Sequence, residues 1–179
     1  MTLPTAPKAS QINYKAALQA WTEAARTAIE EKGAYPYVVY DNTGGQSYTQ
    51  DTEMVVNLDK IGLPSDNYSL SGNVITIATA GTYWISYKIL YTEVDTSGDA
   101  RATIEGWVED NSSGVFDETP GSFATGYIRE ATNGASVSAS VPIVVAAGQK
   151  IRLKTQLTYA QPNCQTRTKS SLSIIKMSA

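Results

Sequence analysis

The chain has 179 residues, 17% of them charged, with a net charge of −3, no histidine and one cysteine. This length suits one domain with an appendage and buries most of the surface that the unfolded chain exposes, so no covalent staple is required. The acidic balance argues against nucleic acid, the missing histidine removes the usual general base and the commonest metal ligand, and Cys164 alone makes neither an internal disulfide nor a cysteine zinc site.

Residues 1–9 are rich in proline and threonine and are expected to be extended. They contain no apolar core of a signal peptide, so synthesis and folding in a cytoplasm are expected. No stretch of the chain approaches the ~20 apolar residues of a membrane span, and no membrane partner is expected. The segment is either an unconstrained terminus or an arm that orders on a partner surface.

Residues 10–33 read as a helix with its stop. Ser10 suits the N-cap, and Gly33 followed by Pro36 suits the end. Tyr14, Leu18, Trp21, Ala25 and Ala28 recur in a heptad rhythm over little more than two heptads. A helix with so thin an apolar stripe is marginal alone and must pack on something. Two partners are open, the β domain of the same chain or other copies of the helix.

From residue 35 the pattern changes to strands. Tyr37–Tyr40, Met54–Leu58, Val74–Ile77, Ala102–Glu109, Gly126–Arg129, Val137–Val145, Ile151–Tyr159 and Leu172–Met177 are short runs separated by Gly, Asn, Asp and Ser clusters. Pro142 inside one run predicts an edge or a bulge. The longest run holds Tyr83, Ile85, Tyr87, Ile89 and Tyr91 on one face and Thr82, Trp84, Ser86, Lys88 and Leu90 on the other. Eight to ten such strands predict a sandwich or barrel.

No constellation reads as a catalytic centre. Asp95, Asp99, Asp110, Asp117 and Glu118 lie in predicted loops without EF-hand spacing and read as solvated acids. Glu105 and Glu109 share a strand face and read as outward charges rather than a hydrolytic pair. Lys150, Arg152 and Lys154 read as the wet face of a strand, and Cys164 as a free thiol in a polar loop. No cofactor and no metal are expected.

Three segments resemble the C1q/TNF-like family: Tyr68-Ser69-Leu70-Ser71-Gly72-Asn73-Val74 with the following Gly81-Thr82-Tyr83-Trp84-Ile85-Ser86-Tyr87, then Ala147-Gly148-Gln149-Lys150-Ile151-Arg152-Leu153, then Ser170-Ser171-Leu172-Ser173-Ile174-Ile175. The likeness covers residues 35–179. It departs where Gln149 replaces the family's Asp, where the last strand lacks its Gly and Phe, and where a helix replaces a collagen stalk. The resemblance implies a mainly β, antiparallel jelly-roll sandwich behind one N-terminal helix, with no catalytic residues. It further implies a homotrimer that brings one sheet face to a threefold axis, with Trp84 and Leu90 as candidate contacts.

The departures fit the trimeric C1q-like domains that phages and some bacteria display. The expectation is a non-enzymatic virion protein on the capsid surface, a decoration, cement or head-fibre component. Its arm (Leu3, Pro4, Pro7, Lys8) and helix would bind the major capsid protein. The alternative is a carbohydrate- or receptor-binding module of a phage fibre or a bacterial surface, with a cell-surface glycan as partner.

Overall fold

A computed structural model describes residue 20 and residues 37–93, 101–128, 134–160 and 164–178. The expected arm and the seam residues Tyr14, Leu18, Trp21, Ala25 and Ala28 lie outside the described residues, as do Asp95 and Asp99. Within 10–33 only Ala20 is described, and its backbone is helical.

The strands are β1 (Tyr37–Tyr40), β2 (Glu53–Val55), β3 (Lys60–Leu63), β4 (Tyr68–Ser71), β5 (Val74–Ile77), β6 (Gly81–Glu93), β7 (Ala102–Asp110), β8 (Asp117–Glu118), β9 (Ala124–Ile128), β10 (Ala135–Val145), β11 (Lys150–Ala160), β12 (Cys164–Thr166) and β13 (Ser171–Ser178). The first sheet runs β10-β6-β13-β1-β3, with β12 continuing the β13 side of β6. The second runs β4-β5-β11-β7-β8, with β2 on β11 and β9 on β7. Every strand pairing is antiparallel. The result is a mainly β jelly-roll sandwich.

Local chemistry accounts for the connections. Ser71 pairs with Val74 across a two-residue turn, and both central residues, Gly72 (φ 57°) and Asn73 (φ 67°), take positive φ. That is the turn whose twist matches paired strands, and Gly and Asn tolerate it best. The Asn73 side chain accepts a hydrogen bond from the Leu58 amide at 3.0 Å, tying the turn to the chain ahead of β3. Pro142 falls on β10, which lies at the sheet edge where a missing N–H is tolerated.

The core lies between the sheets, and β6 supplies its centre. Tyr83, Ile85, Tyr87, Ile89 and Tyr91 are all buried. Tyr37 stacks on Tyr68 with centroids 4.8 Å apart, and Tyr68 meets Tyr83 edge-on at 6.1 Å. A large aromatic in a sandwich needs a gap opposite. Gly106 of β7 provides one, because a Cβ there would fall 2.8 Å from Ile89 Cδ1 and 3.3 Å from Tyr87 Cε2. The Tyr87 hydroxyl crosses between the sheets and shares its single proton between the carbonyls of Gly106 (2.5 Å) and Ser122 (2.8 Å).

Three expectations are corrected. Cys164 is not in a loop but in β12, 1% exposed and packed in the core. Of the expected wet stripe Lys150, Arg152 and Lys154, only Lys150 is exposed. Arg152 Nε pairs with Glu109 at 2.5 Å and its guanidinium lies over the Phe116 ring, while Lys154 is buried and pairs with Glu53 at 2.9 Å. Glu109 is therefore a buried ion-pair partner rather than an outward charge. Asp110 also serves the fold. Burial works to raise its pKa, but hydrogen bonds from Ser112, Thr119 and Gln149 outweigh it and hold the carboxyl below its ordinary value.

Tyr87→Phe keeps the ring and removes the hydroxyl, leaving two buried carbonyls without that donor. The expected loss is about 1–3 kcal/mol in urea unfolding, and an unchanged midpoint at equal slope contradicts the bridging role.

Candidate functional site

The outward face of the first sheet carries a patch that sequence alone did not assemble. Alternation along β6 points Thr82, Trp84, Ser86, Lys88 and Leu90 away from the core. Register then fixes their neighbours. Trp84 stands opposite Pro142 of β10 on one side and Ile175 of β13 on the other. Val144 stands opposite Thr82, and Met177 follows Ile175 by one alternation. Trp84 is 39% exposed and Val144 79% exposed, with Ile175 and Met177 also open to solvent.

The composition of the same face changes along the strands. Ser86 lies between Ser140 and Ser173, and Lys88 between Ser138 and Ser171. The Ser140 hydroxyl donates to that of Ser86 at 2.8 Å. The face is thus apolar at one end and a carpet of hydroxyls at the other. An apolar cluster on the central strands of a sheet, rimmed by small polar groups, is the composition of a protein contact surface.

Trp84 and Leu90 share this face but not this patch. Six residues of strand separate them, roughly 20 Å. Leu90 is half-buried beside Ser136, and its amide accepts no part in the patch, donating instead to the Ser170 hydroxyl at 2.9 Å. The residues missed at the sequence level are Pro142, Val144, Ile175 and Met177. Each lies on a different strand segment from Trp84, and only strand register brings them together.

The outward face of the second sheet differs. At one end its charges are matched internally, Arg152 with Glu109 and Lys154 with Glu53. Trp107 is buried there under Phe123, the rings stacked at 6.3 Å. Among the described residues no group of three or more Cys, Asp or Glu is placed to hold a metal ion.

No family model matches this sequence, and no curated protein matches it. Solved structures do match by shape. The Eiger TNF of S. frugiperda is 12% identical with a TM-score of 0.58, over 82% of this chain and 94% of that one. Murine APRIL is 14% identical with a TM-score of 0.53, over 80% of this chain and 100% of that one. The globular domain of zebrafish complement 1qA protein is 13% identical with a TM-score of 0.50, over 80% of this chain and 97% of that one. At these identities the likeness speaks for architecture alone: the chain has the C1q/TNF-like jelly-roll fold.

Proposed function

We propose that this protein is a non-enzymatic structural component that works as a homotrimer, with the outer face of the first sheet as its self-contact. The observation that carries the reading is the cluster of Trp84, Pro142, Val144, Ile175 and Met177, open to solvent on and around the central strand of the sheet. Leaving such a surface in water forgoes about 25 cal/mol for each Å² that a partner would cover. Around a threefold axis the apolar ends of three copies close against one another. The serine rows then meet through water or hydroxyl contacts, which hold register without adding an unpaired charge.

The finer proposal is a virion role: a capsid decoration, cement or head-fibre protein of a tailed phage, with residues 1–9 and the helix over 10–33 docking on the major capsid protein. Its support is the combination of a C1q/TNF-like domain, a sequence without a catalytic set, and an N-terminal segment whose thin apolar stripe needs a partner. Three weak arms acting together give avidity that one arm lacks.

Trp84→Glu places a carboxylate in each copy of the contact while leaving the core-facing side of β6 untouched. The expected outcome in sedimentation velocity is a folded monomer, with circular dichroism unchanged; a trimer of undiminished stability contradicts the assigned face. Removal of residues 1–9 is expected to leave the trimer intact and abolish co-sedimentation with tailed-phage capsids that the intact chain binds. Undiminished co-sedimentation contradicts the anchoring role of Leu3, Pro4, Pro7 and Lys8.

A further inference from the structure

The second sheet has its own outward surface, and its free end differs in kind from the ion-paired end. Thr103 of β7 is paired on one side with Tyr159 of β11 and on the other with Tyr127 of β9. Both tyrosines point outward, Tyr127 50% exposed and Tyr159 48%. Adjacent strands lie about 4.8 Å apart, so the two rings stand roughly 10 Å from each other with Thr103 as the floor between them. One step along the same face, Glu105 is flanked by Gln156 and Thr125 in the same manner.

These polar side chains are uncommitted. Among the described residues, none of Thr103, Glu105, Thr125 and Gln156 makes a side-chain hydrogen bond or ion pair, whereas Arg152 is paired with Glu109, and Lys154 with Glu53, which stands opposite Gln156 on its other side. A buried or half-buried carboxylate and amide usually find partners within the protein. Here one hydroxyl, of Thr103, lies between the two aromatic rings, and an acceptor-only carboxylate, a donor–acceptor amide and a second hydroxyl form the adjacent row.

We propose that this surface is a binding platform for a neutral oligosaccharide. A sugar ring offers apolar C–H faces and a rim of hydroxyls that both donate and accept. Tyr127 and Tyr159 match the faces, and ordered aromatic rings supply contact area at small entropic cost. Glu105 and Gln156 match the hydroxyls, and a few placed polar groups on an apolar surface are what orient such a ligand. The carboxylate of Glu105 in the floor disfavours acidic sugars. The platform lies on the opposite sheet from the proposed trimer contact.

The test is titration of the full-length protein with maltotriose, cellotriose and chitotriose, followed by calorimetry and by amide chemical shifts. At least one is expected to bind, with shifts concentrated on β7, β9 and β11. Tyr127→Ala and Tyr159→Ala are each expected to weaken binding by at least roughly tenfold, Glu105→Gln to weaken it, and Tyr159→Phe to retain it. Both rings are half exposed, so the single variants are expected to fold and melt as the parent does. Failure of all three sugars to bind overturns the proposal. So does binding that persists in both alanine variants; sialyllactose is titrated as an acidic control, and a response to it alone overturns the proposal by reversing the assigned ligand class.

Discussion

The Tyr87 hydroxyl, held between the carbonyls of Gly106 and Ser122, is the contact on which the arrangement of the two sheets depends. It needs a hydroxyl-bearing ring on β6, and the glycine on β7 leaves room beside it for Ile89, Val137 and the Tyr87 ring. The other tyrosines of that face then have fixed room to fill. Because side chains alternate strictly, anchoring one face of β6 in the core commits the other face to the outside. The exposed Trp84 is thus a consequence of where Tyr83, Ile85 and Tyr87 must go.

The same logic explains why the two outer faces differ in composition. On the first sheet the residues beside β6 are Pro142, Val144, Ile175 and Met177 at one end and serines at the other. Among the described residues nothing covers the apolar end; the helix expected over 10–33 and a second copy of the chain are its two candidate covers, and the proposed homotrimer assigns it to the second. On the second sheet, charge pairs and the Trp107–Phe123 stack satisfy most of the surface from within. Only the rows around Thr103 and Glu105 keep hydrogen-bonding capacity and aromatic area in reserve. The first face is the one proposed for self-association and the second the one proposed for a small polar ligand.

The alternation of β6 was legible in the sequence, because five buried and five outward residues repeat with period two. The turn at Gly72–Asn73, the edge position of Pro142 and the sandwich class were legible for similar local reasons. The patch around Trp84 was not, because it depends on the register of β6 with β10 and β13, whose residues lie far away in the chain. Register also hid the partners of Arg152 and Lys154, so a row of paired cations read as a wet stripe. The two- and three-residue strands β8 and β12 were too short to carry a period, and Cys164 in a polar sequence read as a loop although its neighbours bury it. The clustering of Tyr127 and Tyr159 on either side of Thr103 is again a product of pairing, seen only once β9, β7 and β11 lie side by side.

The most direct test of the central claim is the solution mass, by light scattering, of a chain shortened to begin at Gly33. If the sheet face carries the assembly, this chain has three times the protomer mass, as does the full-length protein. A monomer would contradict the account, because the contact would then belong to the helix or would not exist.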